Sequence, residues 1–226
     1  MKSHRKIGFK SSNSQIINNS FDSIKFQNSK NKKKFLSKYN INNDKLIISM
    51  YGRYHPIKNH YILLQSIAKI SRSIPNIHLF LAGRGISNKN VRLKRTIESF
   101  SLQNITTLAG YLEDQDLIDA YSSTDITVLT SRSESFPNVI GESMACMTPC
   151  VSFNVGDCKY IIGNTGWVTR KNSLKELIYT LEKAVKISRK ENKWQKIKID
   201  CSKRIKDVFN YEKEIKKYKN FYQTLK

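Results

Sequence analysis

Short apolar runs alternate with longer amphipathic stretches through the middle of this 226-residue chain. The apolar runs are rich in Val, Ile and Leu, and their length is typical of buried strands. They lie at residues 46–50, 78–82, 105–108, 126–129, 151–153 and 167–168. Helices are predicted at residues 59–72, 90–100, 114–122, 138–146 and 173–188. Apolar strands separated by helices predict an α/β fold, with a parallel sheet covered by helices on both faces.

The two ends of the chain differ from this central region. Residues 1–44 are polar and rich in Asn, Ser and Lys, and residues 30–39 are predicted to form a short basic helix. Residues 194–226 are predicted to be helical and basic, with an apolar stripe and a break near Asn210. The stripe consists of Ile205, Val208, Phe209, Ile215, Tyr218, Tyr222 and Leu225. We therefore divide the chain into a linker (1–44), an α/β domain (45–190) and C-terminal amphipathic helices (191–226).

The most informative segment, residues 130–145, connects the fourth predicted strand to a helix that starts near Asn138. Glu134 lies in the loop, and Glu142 follows eight positions later, one turn into the helix. Unpaired amides at a helix start favour an anion, and carboxylates accept hydrogen bonds from hydroxyl groups. A nucleotide sugar carries both kinds of group. Taken alone, the two acids are explained equally well as a solvated loop residue and an ordinary acid at a helix start.

Two cations lie in the loop after the first predicted strand. Arg53 offers a planar fork of donors and Lys58 a point charge, and both can bind phosphate oxygens. Ligands of parallel sheets bind beyond the carboxyl ends of the strands, so residues just after the strands should converge on one edge. These residues are Arg53, Lys58, Gly83, Arg84, Leu112, Glu134 and Glu142. Without this context, Arg53 and Lys58 would be two solvated cations among 40.

Composition narrows the functional classes. The net charge of +22 favours polyanionic partners, although the abundance of Lys, Asn and Ile also fits a compositional bias of the whole genome. The four cysteines form no CxxC pair and the four histidines are dispersed, so a metal site has little support. No apolar run reaches 18 residues and the start lacks a signal-peptide core, so we expect a cytoplasmic protein, at most peripheral to the inner face of a membrane.

The motifs together resemble those of the retaining glycosyltransferases with two Rossmann-like domains, the GT-B fold, of the large family-four type (glycosyl transferases group 1). Glu134 and Glu142 match the family's Glu-x7-Glu motif, and residues 52–60 resemble its "GR…KN" loop. Further matches lie at residues 79–85, 109–112, 120–126, 144–146, 148–151 and 156–157. In the family's order, the matching segments span residues 46–169, and residues 15–22 resemble the interdomain hinge.

The resemblance implies a role for each candidate residue. Arg53 and Lys58 would clamp the diphosphate of the donor, Glu134 would contact the transferred sugar, and Glu142 would contact the ribose. Arg53, Lys58 and Glu134 are the predicted catalytic residues. The predicted donor-binding residues are Gly52, Arg84, Leu112, Phe136, Pro137, Asn138, Val139 and Glu142. No metal or other cofactor is expected, because the two cations would stabilise the leaving group and the nucleotide sugar is itself the substrate.

Four positions depart from the family's pattern. Ser20 replaces a hinge Gly, Ser135 a frequent loop Gly, Met147 the Gly after "AC", and Tyr160 a frequent Glu. The backbone shape at the first three positions and the function of the missing Glu therefore stay open.

Two short patterns suggest other ligands. Residues 114–116 read Asp-Gln-Asp, like the metal-binding D-x-D of other glycosyltransferases, but they precede an amphipathic helix and are interpreted as an N-cap cluster. Residues 83–85 read Gly-Arg-Gly, but Asn88 occupies the place of the third glycine in a dinucleotide fingerprint. Nucleic-acid binding needs aromatic stacking residues on a basic face, and the spacing of Tyr218, Phe221 and Tyr222 is better explained by helix packing.

The resemblance begins at the hinge, and the acceptor-binding domain that precedes the hinge in the family has no counterpart here. Three explanations fit this difference: the chain is a fragment, a partner chain supplies the other half, or the reading frame is split. The favoured function is the donor-binding domain of a hexosyltransferase that retains anomeric configuration, with an anionic membrane surface as a further partner. The alternative is a noncatalytic module that binds nucleotide sugars or polyanions. Under either, the purified chain should bind nucleotide yet transfer little or no sugar alone.

Overall fold

The computed structural model describes residue 8 and residues 17–224. Six parallel strands form one sheet in the order β3-β2-β1-β4-β5-β6. The strands are β1 (Leu46–Tyr51), β2 (Ile77–Ala82), β3 (Thr106–Leu108), β4 (Ile126–Leu129), β5 (Cys150–Ser152) and β6 (Trp167–Val168). The predicted parallel sheet is confirmed, and every strand boundary lies within one residue of its predicted position. Strand order reverses between β1 and β4, and ligands of such sheets bind beyond the carboxyl ends of the strands near this point.

Helices cover both faces of the sheet, as the pattern of apolar residues predicted. The helices of the described residues are α1 (Lys32–Lys38), α2 (His60–Ile70), α3 (Val91–Ser99), α4 (Asp114–Ser123), α5 (Asn138–Ala145), α6 (Cys158–Ile162), α7 (Leu174–Ser188), α8 (Glu191–Val208) and α9 (Tyr211–Gln223). Helices α2, α3 and α7 pack on one face, where Ile48 and Met50 of β1 point. Helices α1, α4, α5, α6 and α8 pack on the other face. Helix α6 was not predicted, because five residues are too few to show a helical period.

The C-terminal tail forms two helices, with the break at Asn210 as predicted. The side-chain Oδ1 of Asn210 accepts a hydrogen bond from the backbone N–H of Lys213 at 3.0 Å and so caps α9. The apolar stripe divides at this point: Ile205 and Phe209 are buried, whereas Tyr218 and Tyr222 are 48% and 65% exposed. Residues 1–7 and 9–16, which include the start of the hinge segment, and Leu225 of the stripe lie outside the described residues.

The linker is held against the rest of the chain at Phe21. Its backbone N–H donates to the carbonyl oxygen of Phe209 at 3.1 Å, and its ring packs 5.9 Å from the ring of Phe136. A Cβ on Gly141 would collide with the Phe21 ring, so α5 can approach this ring only through a glycine. Residues that are distant in the sequence thereby position the start of α5.

The backbone at Met147 gives a physical reason for the glycine that the family's pattern has at this position. It follows Cys146 at the end of α5 and has φ of 63°, in the left-handed region that favours glycine. Ser20 and Ser135 do not adopt positive φ, so the replacement of glycine there requires no backbone strain. The four cysteines are buried and unpaired. Within the described chain, no helix has the length and apolar character needed to cross a membrane.

Candidate functional site

A cavity of about 460 Å³ lies at the carboxyl ends of β1, β2 and β3, where residues after the strands were expected to converge. Seven of the predicted site residues line it: Gly52, Arg53, Lys58, Arg84, Leu112, Val139 and Glu142. The other lining residues are Tyr51, Ala82, Gly83, Tyr111, Leu117 and Tyr121. The loops after three strands and the helices α4 and α5 therefore share one concave site.

Two glycines bring the loops after β1 and β2 together. The backbone N–H of Gly52 donates to the carbonyl oxygen of Ala82 at 2.8 Å, and that of Gly83 donates to Gly110 at 2.7 Å. Gly83 has φ of 144°, and a Cβ there would collide with the backbone of Gly52. A side chain at position 83 would therefore push the Arg53 loop away from the neighbouring strand.

Lys58 and Glu134 form an ion pair at the edge of this cavity. The Lys58 Nζ lies 2.6 Å from the Glu134 Oε1, and the two side chains are only 20% and 14% exposed. The loops that carry them are also joined through the backbone. The Thr130 hydroxyl donates to the Lys58 carbonyl oxygen at 3.0 Å, and the Arg132 N–H donates to the Ile57 carbonyl oxygen at 2.8 Å. Residues that are 76 positions apart are thus held in direct contact.

The Glu134 loop rests on a glycine from the next strand connection. Gly156 has φ of 50°, and a Cβ on it would collide with the carbonyl oxygens of Glu134 and Ser135. The next N–H, that of Asp157, donates to the Ser135 carbonyl oxygen at 2.9 Å. These contacts give a physical reason for the Gly-Asp pair at positions 156–157: it supports the loop that carries Glu134.

Glu142, on α5, is the carboxylate that lines the cavity itself. The Tyr121 hydroxyl of α4 donates to the Glu142 Oε2 at 2.8 Å. Burial raises the pKa of the Glu142 carboxyl, and the hydrogen bond from Tyr121 opposes that rise. Burial together with the nearby Glu142 raises the pKa of Tyr121 well above its ordinary value, so the phenol stays protonated as a donor. One oxygen of Glu142 is therefore oriented by the protein.

Arg84 and Tyr111 form a stacked pair on the cavity wall. The guanidinium carbon of Arg84 lies 5.0 Å from the centroid of the Tyr111 ring, within the range of a cation–π contact. Tyr111 and Tyr121 were not among the predicted site residues. The signal for both was weak, since tyrosines near a strand end or inside an amphipathic helix are read first as packing residues.

Four predicted site residues do not line the cavity: Glu134, which is paired with Lys58 at its edge, Phe136, Pro137 and Asn138. The Phe136 ring packs against Phe21 and Phe209, and the side-chain oxygen of Asn138 accepts a hydrogen bond from Asn19 at 3.1 Å. Pro137 is the N-cap residue of α5 and supplies no side-chain hydrogen bond to the helix. The first amides of α5 are thus left without a side-chain cap, which suits them for binding an anion.

Residues 114–116 and Tyr160 have structural contacts away from the cavity. The N-cap interpretation is wrong in detail, because Glu113 occupies the cap position and the first turn of α4 contains Asp114 and Asp116. These carboxylates pair with Lys25 at 3.4 Å and with Lys38 at 2.8 Å. The Tyr160 hydroxyl accepts a hydrogen bond from Asn18 at 3.3 Å.

Comparison with known families places this site in context. The model of the family described as "Glycosyl transferases group 1" matches residues 31–199, which is most of the chain. The chain belongs to the glycosyl transferases group 1 family. Its membership indicates a transferase, and its parallel sheet with helices on both faces matches the Rossmann-like domains of GT-B glycosyltransferases.

Relatives of this group 1 glycosyltransferase chain include two proteins whose names describe transfer of a sugar. It is 28% identical over 147 residues to the phosphatidylinositol N-acetylglucosaminyltransferase GPI3 subunit of Saccharomyces cerevisiae, covering 65% of this chain and 32% of the relative. It is 30% identical over 114 residues to the D-inositol 3-phosphate glycosyltransferase of Segniliparus rotundus, covering 49% and 25%. The chain therefore spans about a quarter to a third of the length of these relatives.

Solved structures share the fold. Anabaena HepE, solved in complex with UDP and glucose, superposes with a TM-score of 0.86 at 19% identity, covering 99% of this chain and 60% of HepE. The C-terminal domain of the group 1 glycosyl transferase LpcC from Francisella tularensis superposes with a TM-score of 0.71 at 17% identity. That alignment covers 85% of this chain and all of the LpcC domain.

Proposed function

We propose that this chain is the C-terminal, donor-binding domain of a hexosyltransferase that retains anomeric configuration, and that its cavity binds a nucleoside-diphosphate sugar. The observation that carries the proposal is that Arg53, Lys58 and Glu142 line one cavity, with Glu134 paired to Lys58 at its edge. Cations can bind a diphosphate there, while carboxylates accept hydrogen bonds from sugar hydroxyls. Retention and the hexose rest on the resemblance of the motifs.

The diphosphate is assigned to the Arg53 side of the cavity. Arg53 has no carboxylate partner within the described chain, whereas Lys58 is already paired with Glu134. When the bond between the anomeric carbon and the phosphate oxygen breaks, negative charge grows on the departing diphosphate. Arg53 and Lys58 stabilise that charge, and the uncapped amides of α5 add partial positive charge. We propose no metal ion for that step.

The two carboxylates are assigned to different parts of the donor. Glu134 is held next to Lys58, so its free oxygen can accept from a hydroxyl of the transferred sugar close to the diphosphate. Glu142 has one oxygen fixed by Tyr121, which leaves the other oxygen for the ribose hydroxyls. Arg84 and Tyr111 lie on the same wall as Leu112, next to that ribose position.

The domain is proposed to act with a second half that binds the acceptor. The chain spans about a third of the GPI3 relative, which is itself a subunit by name, so a partner chain is a natural source of that half. An anionic membrane surface is proposed as a further contact. Tyr218 and Tyr222 are exposed on α9, and the same helix carries Lys213, Lys216, Lys217 and Lys219. We propose a cytoplasmic location, peripheral to the membrane.

Binding and transfer assays test this function. Titration calorimetry with UDP, GDP and their hexose conjugates should show saturable binding that Arg53→Gln weakens by about 1–3 kcal/mol, because a charged hydrogen bond is lost. Arg72→Gln, the same charge change at an exposed site outside the cavity, is the matched control and should bind normally. Equal affinity in Arg53→Gln and wild type would contradict the diphosphate site.

The two carboxylates give a second, independent test. Glu134→Gln should weaken UDP-hexose binding more than UDP binding, because it contacts only the sugar. Glu142→Gln should weaken both, because both ligands contain ribose. The isolated chain should show little or no glycosyl transfer, and activity should appear when an acceptor-binding chain is added. Efficient transfer by the monomeric chain alone would show that the second half is not required.

A further inference from the structure

A second cavity lies behind the loop that carries Arg53 and Lys58. Its volume is about 420 Å³, and it is lined by Tyr54, His55, Pro56, Asn59, His60, Tyr61, Leu64, Arg92, Thr96 and Arg132. Gly52, Arg53 and Lys58 line the first cavity, whereas residues 54–56 and 59–60 line the second. The loop between β1 and α2 is therefore a wall shared by two separate cavities.

The lining of the second cavity is cationic. Arg92, in the first turn of α3, and Arg132, just after β4, form no ion pair among the described residues. Arg132 is held against the shared loop by its N–H, which donates to the Ile57 carbonyl oxygen at 2.8 Å. No Asp or Glu is among the residues that line this cavity. Two unpaired guanidinium groups without a nearby acid favour an oxyanion.

The start of α2 adds a second, independent feature. His60 is only 3% exposed and lines the cavity, yet neither of its ring nitrogens has a hydrogen-bond partner in the described chain. Buried polar groups are normally paired, so an unpaired imidazole in a cavity wall indicates a missing partner. The residue before it, Asn59, supplies no side-chain cap, so the first amides of this 11-residue helix are also left uncapped.

From these features we infer that the second cavity binds a small phosphomonoester. Its phosphate would be held between Arg92 and Arg132 and would accept hydrogen bonds from the first amides of α2, and from His60 once its buried ring turns toward the cavity. The cavity is larger than a bare phosphate needs and lies in the size range of small-molecule sites. Tyr54 and Tyr61 supply aromatic surface and hydroxyl groups for the organic part of the ligand. The inference does not depend on glycosyl transfer.

The test is a titration of the full 226-residue chain with glucose 6-phosphate and with inorganic phosphate, at constant ionic strength. Calorimetry gives the affinity, and the imidazole resonances of the four histidines report which site is occupied. We expect saturable binding of glucose 6-phosphate, weaker binding of inorganic phosphate, and a shifted His60 resonance. Arg92→Gln and Arg132→Gln should each weaken binding at least about 10-fold, as the loss of a charged hydrogen bond implies.

Matched variants separate this site from general attraction to a basic protein. Arg95→Gln removes the same charge from the same helix at an exposed position outside the cavity, and it should change the affinity less than about 2-fold. An equal loss in Arg95→Gln and Arg92→Gln, or no saturable binding, would overturn the inference. A loss confined to Arg53→Gln would place the ligand in the first cavity and also overturn it. Equal affinity for inorganic phosphate would contradict the phosphomonoester assignment.

Discussion

The ion pair between Lys58 and Glu134 should stabilise the unliganded domain far more than the surface pairs do. The two atoms are 2.6 Å apart and the side chains are mostly shielded from water. At an effective dielectric constant of about 20, the Coulomb attraction at that distance is roughly 6 kcal/mol. Residual solvent and relaxation of the two side chains screen much of this attraction, so we expect a coupling energy of about 1–3 kcal/mol.

A double-mutant cycle measures that coupling directly. The variants Lys58→Met, Glu134→Gln and their combination are unfolded in urea at pH 7, and the coupling energy is the departure from additivity. The pair Lys38–Asp116 is the control, because its atoms lie 2.8 Å apart but its side chains are 45% and 58% exposed. Its cycle should give about 0.2–1 kcal/mol, as for other exposed pairs. A Lys58–Glu134 coupling no larger than the control would refute the preformed pair.

Three further predictions concern stability. Met147→Gly should stabilise the fold by about 0.5–1 kcal/mol in urea unfolding, because it removes a left-handed backbone from a side-chain-bearing residue; no gain would contradict this. Burial raises the pKa of Glu142, so ionisation of this carboxyl lowers the free energy of unfolding as pH rises through that pKa. The free energy of unfolding of Glu142→Gln should therefore exceed that of wild type at pH 7 and equal it in acid. A difference that does not change with pH would refute this. Burial lowers the pKa of His60 and His78 to about 4, so the free energy of unfolding should decrease as pH falls from 6.5 to 4. The decrease should be less steep in His60→Leu, and the same pH dependence in this variant and wild type would count against the prediction.

The sequence predicted the sheet well because its four central strands are buried on both faces and are rich in apolar residues. The strand β4, for example, is buried at all four positions and was placed without error. The edge of the sheet that holds the cavity followed from the same reasoning, since loops at the carboxyl ends of parallel strands must lie together. Helix α6 was missed because its single turn of apolar residues has no readable period.

Side-chain contacts within the site could not be predicted in the same way. The Tyr121–Glu142 hydrogen bond depends on how α4 packs against α5, and the Lys58–Glu134 pair depends on the register of β1 beside β4. The spacing of these residues in the sequence gives neither the packing of α4 against α5 nor the register of β1 beside β4. Phe136 shows the same limit, because only the packing of the linker against α5 turns its ring toward Phe21 and away from the cavity.

The most direct test of the central claim is a crystal structure of this chain with a nucleoside-diphosphate hexose bound. We expect the diphosphate between Arg53, Lys58 and the start of α5, the ribose hydroxyls on Glu142, and the hexose hydroxyls on Glu134. A nucleotide bound elsewhere, or bound in this cavity with its diphosphate away from Arg53 and Lys58, would contradict the proposed donor site.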